Sequence, residues 1–242
     1  MLSTIKIGII SVFAMLSCGV LWSQTTVKGR ENIPSFDKRQ YHFGFLLSYN
    51  QSSFFIDYNP DFTFSDSLLG IDNVPQAGFN LALLASYNPV KNLNFRFVPG
   101  LSFQERGLNY RFLNADGTTE TFLKRTSSVW LEFPLLLKMR TNRVNNFAAY
   151  ALFGGKIGFD MQSQKDVSNQ VAGDIVVKLQ SRDMSIDAGG GFDFFLPYFK
   201  FGIELKTAIG LQNVLIQENN QFTSPIESLK TRTFVLSLTF EG

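Results

Sequence analysis

Charge is scarce in this chain of 242 residues: Asp, Glu, Lys and Arg make up 17% of it, against roughly 25% in soluble domains. A water-facing surface normally carries more. The charges also nearly cancel, to a formal +2, and no basic face or stripe is visible, which argues against a nucleic-acid partner. Cysteine and histidine occur once each, as Cys18 and His42. No segment shows a convincing amphipathic helical period. What the chain has in excess is aromatic side chains, 14% of the residues with 26 Phe among them. Its length allows one ample domain or two small ones.

Residues 1–24, "MLSTIKIGIISVFAMLSCGVLWSQ", carry Lys6, an apolar run from Ile7 to Leu16, and small and polar residues to Ser23-Gln24. This is the pattern of a secretory signal peptide, and its apolar run is short of the about twenty residues that span a bilayer. Cleavage near Ser23 or Gln24 removes Cys18, and with it any disulfide, thiolate nucleophile or cysteine-bound metal. The competing expectation is a lipoprotein acylated on Cys18, whose processing signal Met15-Leu16-Ser17 resembles only poorly. Residues 25–40, "TTVKGRENIPSFDKRQ", are polar, of mixed charge and without period, and read as a periplasmic leader outside the folded body.

From residue 41 to 242 the hydrophobic period is two, the signature of strands. Tyr41, Phe43, Phe45, Leu47 and Tyr49 form one apolar face; Phe79 to Tyr87, Leu93 to Phe103, Val129 to Met139, Phe147 to Phe159, Met184 to Leu196, Phe199 to Leu211 and Phe234 to Phe240 repeat it. That predicts eight strands. Short links (88–92, 141–146 and 196–198) alternate with long ones (51–76, 107–127, 162–182 and 213–229). Short turns at one end and long loops at the other describe an all-β, eight-stranded antiparallel up-and-down barrel of the outer-membrane type.

A soluble ligand-binding barrel would show the same alternation with its apolar face inward, so the opposite face decides. It is mostly small: Gly44, Ser48, Ala82, Ser86, Gly100, Gly154, Gly158, Gly189, Gly191, Gly202 and Gly210 stand there, with Arg96, Glu132, Lys156, Asp187, Asp193, Glu204 and Lys206 as isolated charges. Small residues beside a few pairable charges suit the filled lumen of an eight-stranded barrel, and the apolar face then meets lipid. With Pro197-Tyr198 as a two-residue turn, Gly191 faces Glu204 and Gly189 faces Lys206, each glycine leaving room for a long side chain. Phe192 then faces Ile203 and Phe194 faces Phe201 on the lipid side. Tyr41, Tyr49 and Tyr87 fall at strand ends, where aromatic girdles meet headgroups, and Phe240 lies almost at the end of the last strand. Outer membrane of a Gram-negative bacterium is the expected location.

Chemistry is the least developed feature. His42 faces the lumen at the turn-side end, where a hydrogen-bonding role is expected rather than general-base catalysis. "GGG" (Gly189 to Gly191) and "FGGK" (Phe153 to Lys156) lack the spacing of phosphate loops and lie within strands, where glycine gives bends or space. Asp57, Asp61, Asp66 and Asp72 match no calcium loop and read as a solvated loop. "NADG" (Asn114 to Gly117) signals a turn, making the second long loop a protruding hairpin. Eight strands leave no room for a water channel. No catalytic, cofactor-binding or metal residue is expected, no cofactor and no small-molecule substrate. Glu132 and Glu204 are expected to be structural, each neutralising a lumen cation.

The stretches "HFGF" (His42 to Phe45), "FVPGLSFQERGLNY" (Phe97 to Tyr110), "LEFPLLLK" (Leu131 to Lys138), "DFFLPYFKFGIELK" (Asp193 to Lys206) and "IESLKTRTF" (Ile226 to Phe234) resemble the PorT family. Glu132-Phe133-Pro134 and Leu196 to Lys200 are its most specific segments. The resemblance implies an integral outer-membrane barrel of the type IX secretion system, needed for export of proteins with C-terminal sorting domains and, in gliding species, for motility. It brings no catalytic residues. The partners it implies are other secretion-system proteins, met through the loops or the leader, with outer-membrane lipid around the barrel. The fold alone also allows a general outer-membrane barrel in surface adhesion or envelope structure; an enzyme such as a lipid-modifying barrel is the remaining alternative.

Overall fold

Period-two alternation leaves each strand with one apolar and one small or polar face, and only a closed sheet gives both a uniform solvent. The computed structural model describes residues 31–60, 68–114, 116–162, 177–218 and 222–242. Among them the strands are β1 (Tyr41–Tyr58), β2 (Leu68–Val90), β3 (Leu93–Phe97), β4 (Gly100–Leu113), β5 (Thr119–Arg140), β6 (Phe147–Asp160), β7 (Arg182–Phe195), β8 (Lys200–Gly210) and β9 (Ile226–Glu241). All pairings are antiparallel, and β1 pairs with both β2 and β9, which closes the sheet.

The nine segments make eight staves. β3 and β4 both lie between β2 and β5, and the register runs through the gap: Phe97 is opposite Leu135 and Gly100 opposite Glu132. Two prolines cause the gap. Pro99 and Pro134 cannot donate to the ladder, and their carbonyls still accept, from Leu83 N–H at 2.9 Å and Val98 N–H at 3.1 Å.

The apolar faces point outward, as predicted for lipid. In β1, Tyr41, Phe43, Phe45, Leu47 and Tyr49 are all between 43% and 67% exposed. That run of nine residues matches the 9–11 that carry a tilted strand across a bilayer. Rings pair across the strands on this face: Phe45 stacks on Phe240 at 4.9 Å, Phe79 on Phe103 at 4.4 Å and Tyr41 on Tyr87 at 5.1 Å. Among the described residues no helix is long and apolar enough to cross a membrane; the strands cross it.

The first long connection differs from the expected loop, and the second is the protruding hairpin that was expected. β1 continues to Tyr58, β2 begins at Leu68, and β4 and β5 stay paired from Gln104–Ser128 out to Leu113–Thr119. Ten pairs extend this hairpin roughly 34 Å along the strands, and the predicted "NADG" turn closes it, with Gly117 at φ +83°, a left-handed conformation that suits glycine. The sequence beyond Phe103 keeps its alternation, but with the polar residues now outside.

At the turn side, Leu196 N–H donates to Phe199 O at 3.0 Å, so Pro197-Tyr198 forms the tip. The predicted register follows: Gly189 opposite Lys206, Gly191 opposite Glu204, Phe192 opposite Ile203 and Phe194 opposite Phe201. The reason for one glycine is different from that expected. A Cβ on Gly189 would meet Lys206 Cβ at 2.6 Å, whereas one on Gly191 would meet Tyr150 Cζ and Oη at 2.7 Å. Gly191 thus makes room for the Tyr150 ring, which lies opposite it on β6.

The proposed signal segment, 1–24, and the first part of the leader lie outside the described residues. The remaining part, residues 31–40, does not stand apart from the barrel as the polar composition suggested. It forms a 3-10 turn at Phe36–Lys38 and packs on the barrel's turn-side end.

Candidate functional site

Inward positions carry the charges. Six cations (Arg96, Arg106, Lys138, Lys156, Lys200 and Lys206) and six carboxylates (Glu132, Asp183, Asp187, Asp193, Glu204 and Glu241) face the lumen, most of them fully buried. A buried charge is tolerated only when paired and hydrogen-bonded. In the turn-side half, Arg96 donates to Glu204 at 2.9 Å and to Glu241 at 3.1 Å, and Lys200 reaches Glu241 at 2.8 Å. Lys138 Nζ lies 2.9 and 2.8 Å from the two oxygens of Asp193 and 3.6 Å from the centre of the Tyr150 ring. Lys206 lies 3.5 Å from Glu204. In the other half, Lys156 and Gln104 both donate to Glu132 at 2.9 Å, and Thr231 donates to Asp183 at 2.5 Å. The space bounded by Gln104, Arg106, Glu132, Lys156 and Asp183 is about 10 Å³, no more than one water needs. Beside Arg96 and Lys138, Leu46, Leu84, Val98 and Leu136 pack together as an apolar cluster.

Both ends of this lumen are covered. At the turn side, Phe36 is buried against Phe195 and stacks on His42 with centroids 3.8 Å apart. Asp37 holds Arg140 at 2.7 Å and lies 3.9 Å from Arg143, and Asn32 donates to Phe195 O at 2.9 Å. Arg143 lies 3.8 Å from the Phe195 ring centre; burial lowers its pKa, and Asp37 opposes that shift. At the opposite end, Phe54, Leu68, Ile71, Leu108, Tyr110, Val214, Leu215, Phe222, Ile226 and Leu229 form an ordinary hydrophobic core. The Tyr110 hydroxyl donates to Phe222 O at 3.0 Å, and burial raises its pKa. Arg106 marks the border between the two interiors, its guanidinium 5.5 Å from the Phe54 ring and 5.9 Å from Trp130.

Each residue singled out in the sequence can be placed. His42 is buried at the turn-side end, its Nε2 3.1 Å from Arg39 O. Glu132 and Glu204 lie in the two ion-pair clusters. Asp57 and Asp72 lie on strands rather than in a loop, 3.9 Å from Lys230 and 3.0 Å from Arg111; Asp61 and Asp66 lie outside the described residues. Among the described residues no group of His, Cys, Asp and Glu could hold a metal ion. Sequence reasoning placed Lys200 on the polar face but missed Lys138, Glu241, Arg106 and Asp183. Lys138 sits on the polar face within the alternation of Val129 to Met139, and the other three lie just beyond the alternating segments, so reading the polar face of each strand to its end would have found them.

A closed antiparallel barrel with a nine-residue apolar belt outside and ion pairs inside is an outer-membrane β-barrel protein. Residues 22–215 match the family described as outer membrane protein beta-barrel domain, and the chain belongs to that family. It is a protein of the Gram-negative outer membrane, surrounded by its lipid. Similar solved structures include the outer membrane protein OprG from Pseudomonas aeruginosa, with 14% identity and a TM-score of 0.49 over 89% of this chain and 97% of that one. Ail, the attachment invasion locus protein of Yersinia pestis, has 12% identity and a TM-score of 0.37, covering 84% of this chain and all of its own. Neisserial surface protein A has 10% identity and a TM-score of 0.39, covering 81% and 95%. No curated protein matches the sequence.

Proposed function

We propose that the protein is a non-enzymatic component of the type IX secretion system, needed for export of proteins with C-terminal sorting domains and for gliding where it occurs. The observation that carries this reading is the resemblance of its barrel segments, nearly end to end, to the PorT family. A lumen filled with ion pairs and covered at both ends supports a role exercised through surfaces, since it leaves no path for a solute. The surfaces available are the docked segment 31–40 on the turn side, the extended strands beyond the belt, and the barrel wall. Deleting the gene and comparing culture fluid with periplasm tests the reading. Proteins bearing C-terminal sorting domains should accumulate in the periplasm and return to the medium on complementation.

A second reading, surface adhesion or envelope structure, is favoured by the β4–β5 hairpin, which extends ten residue pairs past Phe103 and Val129. Export that continues unchanged in the deletion strain would sink the secretion reading and leave this one.

A further inference from the structure

Tyr41 and Tyr87 pair across β1 and β2 and stack on the outside of the barrel, at the turn-side limit of the apolar belt. Tyrosines at that level mark the bilayer interface, and in outer-membrane barrels the short turns face the periplasm. Directly beyond this pair, residues 37–40 and 88–91 with Arg140 line a polar pocket of about 270 Å³. Its lining holds four cations, Lys38, Arg39, Lys91 and Arg140, and one carboxylate, Asp37. Asp37 is already engaged by Arg140 and Arg143. Among the described residues Lys38, Arg39 and Lys91 pair with no carboxylate, and all three are exposed. Arg140 is 7% exposed and donates from Nη2 to Asp37 and to Lys91 O, while its buried Nε has no partner.

The same seam carries an apolar groove. Phe45, Leu47, Leu81, Leu83, Pro99 and Leu101 line a space of about 430 Å³ on the outer wall, at the proline gap between β3 and β4. Phe45 lies opposite Leu83 and Tyr41 opposite Tyr87, so the groove starts four residues above the tyrosines, roughly 13 Å along the strand. One acyl chain bridges that distance. A cationic pocket at headgroup level and an apolar groove above it are the two halves of a lipid site.

We propose that this seam binds an anionic phospholipid of the inner leaflet, its phosphate held by Lys38, Arg39, Lys91 and Arg140 and one acyl chain lying in the groove at Pro99. Basic pockets on the water-facing margin of a membrane protein recognise anionic headgroups in this way. The test uses the full chain, delipidated in neutral detergent and titrated with dimyristoyl phosphatidylglycerol or dimyristoyl phosphatidylcholine under native mass spectrometry. Phosphatidylglycerol should be retained at least about fivefold better, given the energy of three lysine and arginine contacts at a membrane surface. K38Q/R39Q/K91Q should lose the preference while keeping the heat-modifiable mobility of a folded barrel. R111Q/R125Q/K230Q removes the same charge from the opposite end and should keep it. Equal retention of both lipids, an undiminished preference in the first variant, or an equal loss in the second would each overturn the proposal. So would displacement of phosphatidylglycerol by inorganic phosphate at equal concentration, which would make the pocket a site for free phosphate.

Discussion

The two halves of the barrel wall invert each other. In β9, Phe234, Leu236, Leu238 and Phe240 face outward while Thr233, Ser237, Thr239 and Glu241 face in; a few residues earlier, Lys230 and Arg232 lie outside the core and Ile226 and Leu229 are buried within it. β1 makes the same change between Tyr49 and Phe54. What differs is the solvent outside. Lipid offers no hydrophobic gain for an apolar interior, so the membrane half is held by hydrogen bonds and ion pairs satisfied within the wall. Beyond the belt, water restores the usual driving force and the strands enclose an ordinary core. One continuous sheet therefore carries two kinds of interior, and Arg106, between Phe54 and Trp130, stands where they meet.

The comparison predicts its largest effect at the ion pairs of the membrane half. Glu204→Ala takes away the carboxylate beside Lys206 and one of the two on Arg96, and losing one partner of a buried pair costs about 3–5 kcal/mol. Urea unfolding in lipid vesicles, followed by the fluorescence of lumen-facing Trp130, should show a loss of that size. A change below about 1 kcal/mol would mean that water, rather than the carboxylate, neutralises these cations. Glu132→Ala should weaken the barrel through Lys156 in the same manner.

Charge on the outer face sharpens the contrast at a smaller scale. Leu205 is 62% exposed in the middle of the lipid-facing row of β8, and an arginine there should cost about 2–4 kcal/mol, as it does at a bilayer midplane. Thr121, exposed on the extended part of β5, should accept Thr121→Arg within about 0.5 kcal/mol, as a water-facing site does. Equal costs at the two positions would place the belt boundary wrongly. The pair also measures how far the membrane reaches up the hairpin.

Most of the membrane half was legible because its two faces contrast sharply: Phe199 to Leu211 alternates with only Thr207 interrupting its apolar row, and it yielded the register of the β7–β8 hairpin down to individual pairs. Where apolar residues run consecutively, as in Leu83-Leu84 and Leu135-Leu136-Leu137, the alternation is blurred, and the buried apolar cluster of Leu46, Leu84, Val98 and Leu136 was not visible. In the water half the β4–β5 hairpin was legible from its NADG turn, but the continuation of β1 and β2 was read as loop because the alternation inverts there, and a search for apolar faces of one sense stops where it does. Phe36 was hidden for another reason. A lone aromatic in a polar, aperiodic segment carries no pattern, and only the pocket formed by His42 and Phe195 shows why it is there. The lipid seam needed three dimensions as well, since residues 38–39 and Lys91 are brought together only by the pairing of β1 with β2.

The smallest effect lies farthest from the membrane, at the tip of the β4–β5 hairpin. Asp116 accepts hydrogen bonds from the Thr118 N–H at 2.9 Å and the Thr118 hydroxyl at 2.5 Å, and these hold its pKa below the ordinary value of 3.8. A lowered folded-state pKa means that the turn is supported at all pH values above the ordinary carboxylate range. That support fades as pH falls through the lowered value. The amide resonance of Thr118 should titrate with a midpoint below 3.8, and Asp116→Ala should abolish the titration without disturbing the resonances of the membrane half. A midpoint at or above the ordinary value would mean that the turn does not hold its carboxylate in solution. A response that spread into the lumen would break the separation more seriously, because it would couple a water-exposed tip to interior ion pairs that the hydrophobic core at Tyr110 and Leu229 stands between.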